Sequence, residues 1–139
     1  MLYKSFLSSV CIFCMSACSS STNIQTSSSN GETIVAISPT SGKLILNVMC
    51  NLKTNEPTVV LVAEQNSDNR PKFVWDKKET SYASIIKLNK SLYNAQDSRD
   101  ILQNLNSSNK LEINTTHGKY EYNTGKLKTS IKAHLSKCM

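Results

Sequence analysis

The sequence has few of the residues on which phosphate-binding and hydrolytic motifs depend. Its four glycines are all isolated, and its two histidines are His117 and His134. Phosphate loops need clustered glycines, and the common hydrolase mechanisms need a histidine beside a nucleophile or a metal. His117 precedes Gly118 in an expected turn, and His134 lies in an expected final helix, so we assign both to structural positions. We predict no enzyme activity, no cofactor and no metal site.

No apolar stretch reaches the roughly 20 residues that a membrane-spanning helix requires. The stretch from Phe6 to Met15 is only about half that length. It follows a positive residue, Lys4, and is followed by Ser16, Ala17 and then Cys18. This order of charge, apolar core and small residues is typical of an export signal. We therefore interpret residues 1–17 as a signal peptide that is removed.

The end of this signal, Met15-Ser16-Ala17-Cys18, resembles the lipobox of bacterial lipoproteins. The resemblance implies that Cys18 is the first mature residue, is acylated, with palmitate among its lipids, and anchors the chain in a membrane. Ser19 in place of aspartate resembles the sorting pattern for the outer membrane. We expect a lipid-anchored envelope protein that faces the periplasm, with the cell outer membrane favoured over the inner one.

The cysteine count predicts one disulfide. Of the five cysteines, Cys11 and Cys14 leave with the signal and Cys18 carries lipid. Cys50 and Cys138 remain in an exported, oxidising compartment, where paired cysteines form structural disulfides. The alternative is that they are two unrelated buried thiols.

The remaining chain divides into a polar segment and one small domain. The run from Ser19 to Asn30 is too rich in serine, threonine and asparagine to bury much apolar surface. We predict that residues 18–30 form a flexible tether and that residues 31–139 form a single α+β domain. A domain of this size is helped by a covalent constraint.

Hydrophobic alternation and turn residues predict mainly strands. The expected strands are Thr33–Ile37, Lys43–Cys50, Thr58–Ala63, Phe73–Trp75, Tyr82–Leu88, Lys110–Asn114 and Lys119–Asn123. Asp97 or Ser98 is expected to cap a short helix that runs through Leu105. Thr124 is expected to cap a final helix, in which Leu127, Ile131 and Leu135 recur every four residues on the face that packs on the sheet. In the second strand the alternate residues from Leu44 to Cys50 are expected to face the core, and this strand is expected to form a hairpin with Thr58–Ala63 at the centre of a sheet. The predicted fold is α+β, with a small antiparallel sheet of about six strands, a short middle helix and a C-terminal helix closed by one disulfide.

Aromatic residues supply the candidate partner-binding patch. Trp75 with Phe73 precedes a charged turn, and Tyr120 and Tyr122 share the last predicted strand. A tryptophan beside a polar loop can anchor a partner. The alternative is that Trp75 belongs to the core, which is the commoner place for a lone tryptophan in a small domain.

The net charge of +6 does not indicate a nucleic-acid partner. The lysines are scattered, and no basic stripe is interleaved with aromatic residues, as a nucleic-acid surface would require. We predict no nucleic-acid binding.

The order of elements over residues 43–138 resembles the type VI secretion-associated VasI family and, more loosely, invasion-associated locus B proteins. The matching residues are Leu46, Cys50, Thr58 to Val62, Trp75, Leu105, Leu111, Ile113, Tyr120, Tyr122, Gly125, Leu127, Ala133, Leu135 and Cys138. The resemblance implies a small periplasmic sheet domain with a terminal helix and a pair of bonded cysteines.

Together these patterns predict a membrane-anchored envelope lipoprotein that acts by binding, as an accessory protein. Its partner is expected to be an envelope protein, for example of a secretion apparatus, or the cell wall. The alternative is an exclusion or immunity lipoprotein of phage or plasmid type that blocks a receptor or a toxin.

Overall fold

Two antiparallel sheets and two helices make up the part of the chain that the structure describes. The structure, a computed structural model, describes residues 22–64 and 70–139. The predicted signal peptide and the lipidation site Cys18 lie outside these residues. Neither described helix is long and apolar enough to cross a membrane.

The first sheet has six strands. They are β1 (Asn23–Ser29), β2 (Glu32–Ser38), β3 (Leu44–Asn51), β4 (Glu56–Ala63), β7 (Ile85–Lys87) and β8 (Lys90–Leu92). Their spatial order is β1-β2-β3-β4-β8-β7, and every neighbouring pair is antiparallel. The predicted hairpin of β3 and β4 is confirmed and lies at the centre of this sheet.

The second sheet has four strands. They are β5 (Lys72–Trp75), β6 (Lys78–Ser81), β9 (Lys110–Thr115) and β10 (Gly118–Asn123), in the spatial order β10-β9-β5-β6. The strand predicted over Tyr82–Leu88 is too long, because only β7 lies within that range, and the separate strand β6 ends at Ser81, just before it. Most side chains of these two strands are exposed, so they carry no clear alternation.

Two helices pack on the sheets, and both predicted caps are wrong. Helix α1 (Ala95–Ser107) is capped by Asn94, whose side-chain oxygen accepts a hydrogen bond from the Asp97 backbone N–H at 2.7 Å. Ser98 instead lies buried and accepts a hydrogen bond from the Val59 backbone N–H at 2.9 Å, which ties α1 to β4. Helix α2 (Leu127–His134) has no side-chain cap. The Thr124 hydroxyl donates to the Ser108 carbonyl instead.

One core fills the space between the sheets and the helices. The inward side chains of β3 alternate as predicted, so that Leu44, Leu46, Val48 and Cys50 are all buried. Leu127, Ile131 and Leu135 come from α2 and its end, at the predicted spacing of four residues, and belong to the same cluster.

The disulfide closes this core at the C-terminus. Cys50 of β3 is bonded to Cys138 of a short 3₁₀ turn (Ser136–Cys138), with the Cα atoms 5.8 Å apart and a sequence separation of 88. Both cysteines are fully buried. The predicted pairing and the α+β class are confirmed, although the described strands number ten in two sheets rather than about six in one.

The tether prediction is wrong for its second half. Asn23–Ser29 form β1, which pairs along its whole length with β2. The signal that the prediction missed is Asn30-Gly31, where φ is 51° and 77°. Two residues with positive φ make the tight turn that hairpins favour. Ile24, the one apolar residue of β1, packs against the core. Residues 18–21 lie outside the described residues.

Replacing Ile24 by alanine is expected to lower the free energy of unfolding by about 1 to 2 kcal/mol, because a half-buried side chain leaves the core. Chemical denaturation of the oxidised protein measures this change. Gln25→Ala is the matched control, since Gln25 is exposed on the same strand, and its effect should stay within about 0.5 kcal/mol. Equal, small effects for both variants would mean that this segment behaves as a tether.

Candidate binding surface

Most of the predicted aromatic patch lies in the core and cannot contact a partner. Phe73 is fully buried and Trp75 is 3% exposed. The two rings stack at 5.7 Å between centroids, and Phe73 also meets Tyr82 and Tyr93 edge to face. Both side chains lie on the inner face of β5. The aromatic rings therefore pack this strand against the core. The alternative that Trp75 is a core residue is therefore the correct one.

Tyr122 is also buried, while Tyr120 is half-buried at the edge of the core. The Tyr122 hydroxyl donates a hydrogen bond to the Leu44 carbonyl. The pairing of β2 with β3 ends at Leu46, before it reaches Leu44. The Tyr122 hydroxyl therefore gives the Leu44 carbonyl a hydrogen bond that β2 does not supply. Burial and, to a lesser extent, the neighbouring Tyr120 raise the pKa of Tyr122 well above its ordinary value.

Tyr120 packs on the loop that joins β2 to β3. A Cβ atom on Gly42 would lie 2.8 Å from the Tyr120 ring, and Gly42 has a φ of 81°. Both facts require glycine at this position. Beside this contact lies a polar cavity of about 220 Å³, lined by Lys43, Ala63, Glu64, His117 and Tyr120. Lys43 and Glu64 form an exposed ion pair at 3.1 Å. The cavity is therefore small, polar and open to solvent.

Tyr82 shows the other perturbed ionisation. Its hydroxyl donates to the Asp100 carboxylate of α1. Burial first, and then this hydrogen bond, raise the pKa of Tyr82 above its ordinary value. The bond ties α1 to the segment between β6 and β7. The arrangement is structural, because Tyr82 is nearly fully buried.

The outer face of the six-stranded sheet carries apolar side chains on five of its six strands. We use this name for the side chains that point away from the core. Its apolar members follow one another across the strands: Ile34, Ala36, Ile45, Met49, Val60, Val62, Ile85 and Leu92. None of them belongs to the core cluster. Ile85 is exposed, Val60 is buried among its neighbours, and the other members are partly exposed. An antiparallel sheet whose second face meets water usually carries polar side chains there, so this face is unusual.

The charges on the outer face lie at its two ends. The register places Glu32 and Glu56 at one end, where β3 ends. It places Lys87 and Lys90 beside Val62 at the other end. Between them the apolar side chains of β2, β3 and β4 are accompanied by uncharged polar ones such as Asn47 and Thr58, and the outward side chains of the edge strand β1 are all polar. A groove of about 360 Å³ opens near the lysine end, lined by Ser38, Pro39, Gly42, Lys43, Ile45, Val62, Ala63 and Glu64.

Sequence signals for this face were present in β3 and β4. Ile45 and Met49 occupy the side of β3 that faces away from the leucines. Val59, Val60, Leu61 and Val62 form a continuous apolar run in β4. A continuous apolar strand is typical of burial on both faces. These residues therefore indicated a second contact surface more directly than the aromatic residues did.

Within residues 22–64 and 70–139, no group of three or more histidine, cysteine, aspartate or glutamate side chains could hold a metal ion. His117 lies in the turn between β9 and β10, and His134 ends α2, as predicted. Comparisons with protein-family models, with curated proteins and with solved structures find no match to this chain.

Replacing Tyr122 by phenylalanine should lower the free energy of unfolding by about 1 to 2 kcal/mol, because the Leu44 carbonyl loses its hydrogen bond from the phenol. Denaturant titration near neutral pH measures the loss. Tyr120→Phe is the matched control on the same strand, since the contact of Tyr120 with the Gly42 loop is made by its ring carbons. This control should leave the free energy almost unchanged.

Tyr122→Phe should also change how the free energy of unfolding depends on pH. The folded-state pKa of Tyr122 is raised above the unfolded value of about 10, so its stabilising contribution is complete below about pH 10 and is lost as the pH rises further. The loss of stability above about pH 10 should therefore be shallower in Tyr122→Phe than in the parent protein. Parallel pH profiles would contradict the assignment of a buried phenol.

Proposed function

We propose that the mature chain is an acylated lipoprotein of the bacterial envelope that acts by binding another envelope protein through the outer face. The observation that carries the binding role is the apolar character of this face. Monomeric soluble proteins rarely expose large contiguous apolar patches, and such patches commonly mark interaction sites. The proposal is one of binding, without catalysis.

The layout of the outer face favours a protein partner over a cell-wall polymer. Its centre is apolar, and its charged residues, Glu32, Glu56, Lys87 and Lys90, lie at the two ends. Protein interfaces have this same arrangement of an apolar centre and a polar rim. Cell-wall sugars and peptides are polar and would leave Ile45 and Met49 without complementary contacts. The groove near Pro39 and Val62 has room for a side chain of the partner.

The envelope location is proposed from two independent features. The segment that ends in Ala17-Cys18 has the charge, apolar core and small residues of a lipoprotein signal. The buried bond between Cys50 and Cys138 is of the kind that forms and persists in oxidising compartments. With Ser19 after the acylated cysteine, we propose the outer membrane, with the domain facing the periplasm.

Photo-crosslinking on membranes tests this proposal. A photo-reactive amino acid at Met49, on the outer face, is expected to give one discrete adduct with another envelope protein. The matched control is the same amino acid at Lys132, which is exposed on α2, and it should give no such adduct. Adding Ile34→Asp to the Met49 protein should abolish the adduct, because a carboxylate would then lie beside the contact.

The intact mass of the uncrosslinked protein is read from the same membranes. It should correspond to residues 18–139 with acyl chains and with the hydrogens of one disulfide removed. An unlipidated mass with free thiols would overturn the envelope location. No adduct at Met49, or an adduct with the mass of two copies of this chain, would overturn the proposed partner. Protease resistance of Ile34→Asp equal to that of the parent protein verifies that this variant is folded.

A further inference from the structure

The hairpin of β7 and β8 presents an exposed leucine in an unfavourable backbone conformation. Leu88 is 88% exposed and has a φ of 57°. The other described residues with positive φ, apart from glycines, are Asn30, Asn55 and Asp76, which are of the types that tolerate this conformation, whereas leucine is not. The exposed Leu88 side chain gains no burial within the domain, and backbone strain of this kind clusters at functional sites.

The neighbours of Leu88 make the hairpin both apolar and cationic. Ile85 is 67% exposed, and Lys87 and Lys90 flank the turn. From Tyr82 to Gln96 the sequence has no carboxylate. Asn89 is held against β4, since its side chain donates to the Ala63 carbonyl at 2.8 Å and its own carbonyl accepts from the Ala63 N–H at 2.9 Å. The turn Leu88-Asn89 is therefore fixed, with the Leu88 side chain exposed.

The hairpin lies at the same end of the six-stranded sheet as the start of β1. Lys90 pairs with Val62 of β4, and Leu44 of β3 pairs with Ala63 one residue further on. At the other edge of the sheet, Asn23 pairs with Ser38. We call this end of the six-stranded sheet, which carries Asn23 at one edge and the turn at Leu88 near the other, the anchor end. Because β1 begins at Asn23, only the few residues after Cys18 separate it from the predicted lipid, a reach of at most about 18 Å.

We propose that the anchor end docks on an anionic lipid bilayer. Leu88, at the turn, enters the boundary between headgroups and acyl chains, while Lys87 and Lys90, on either side of the turn, contact anionic headgroups. The short reach from Cys18 holds this end near the membrane, so that part of the proposal rests on the proposed acylation. The contact of the hairpin with lipid rests on Leu88 and the two lysines alone.

A bilayer fits this hairpin better than a protein pocket does. Apolar side chains beside cations match an interface in which acyl chains lie beneath negative headgroups. Glu64, a described carboxylate at this end, is paired with Lys43, while the opposite end of the sheet carries Glu32 and Glu56. The distribution of charge therefore favours the anchor end, and not the opposite end, as the one that faces an anionic membrane. The domain would stand on its anchor end, with the outer face accessible from the side.

Fluorescence quenching by lipid tests the docking. Leu88→Cys is labelled with an environment-sensitive fluorophore, and the acylated protein is reconstituted in vesicles of phosphatidylethanolamine and phosphatidylglycerol that contain a nitroxide lipid. Cys50 and Cys138 are bonded and do not react. The control is Leu52→Cys, since Leu52 is exposed at the opposite end, where its N–H donates to the Gly31 carbonyl. The length of β4 separates the two sites by roughly 25 Å.

The label at position 88 is expected to be quenched severalfold more than the label at position 52. Substituting Lys87 or Lys90 by glutamate should weaken vesicle binding by at least about fivefold for each lysine, measured by co-sedimentation of protein that has not been acylated. Lys53→Glu, at the opposite end, is the matched charge control and should have a much smaller effect. Leu88→Asn should keep the fold, because asparagine tolerates this φ, yet bind vesicles more weakly.

Three results would overturn the docking: equal quenching at positions 88 and 52, binding unaffected by the lysine substitutions, or protection of position 88 only when a protein partner is added. The test of lipid contact does not depend on whether Cys18 is acylated. An intact mass without acyl chains, together with quenching at position 88 after vesicles are added to the protein, would remove the anchor and leave the lipid contact standing.

Discussion

The bond between Cys50 and Cys138 is the constraint on which the rest of the structure depends. It joins the central β-hairpin to the last turn of the chain, at a sequence separation of 88. Both helices and the whole second sheet lie between these two points. The bond therefore holds the end of α2 against the six-stranded sheet, where Leu127, Ile131 and Leu135 join the core cluster.

A domain of this size has a limited core, so a covalent link between distant segments supplies stability that packing alone would otherwise have to provide. Cys50 points to the inner side of β3 together with Leu46 and Val48. The C-terminal turn is consequently held on that inner side, and it does not cover the outer face.

Sequence patterns located most of this core but not the apolar outer face. Alternation in β3 and the four-residue spacing in α2 identified the buried faces because tertiary packing reinforces these periods. The composition of β1 is polar and gives no strand signal. The Asn30-Gly31 turn, which reverses the chain so that β1 pairs with β2, is the signal that predicts this strand. The predicted aromatic patch is wrong because Trp75 and Tyr122 face the core. Which face of their strands is buried depends on how the second sheet packs, and no local sequence pattern reveals that.

The outer face and the anchor end give the proposed lipoprotein a defined orientation. Since β1 uses most of the segment that was expected to be a tether, little chain is left between the proposed lipid and the sheet. The domain would be held with Leu88 and its flanking lysines toward the membrane and with the apolar outer face presented sideways to an envelope partner. A longer tether would have left both surfaces without a fixed direction.

The dependence of the fold on the disulfide is tested most directly by denaturing the protein with and without a reductant, with Cys50→Ala/Cys138→Ala as the control. Loss of the bond is expected to lower the free energy of unfolding by roughly 4 kcal/mol, because the unfolded chain gains the entropy of a long open loop. The double variant should match the reduced protein. A loss below about 1 kcal/mol would contradict the central role of the bond and would show that packing alone holds the C-terminal turn on β3.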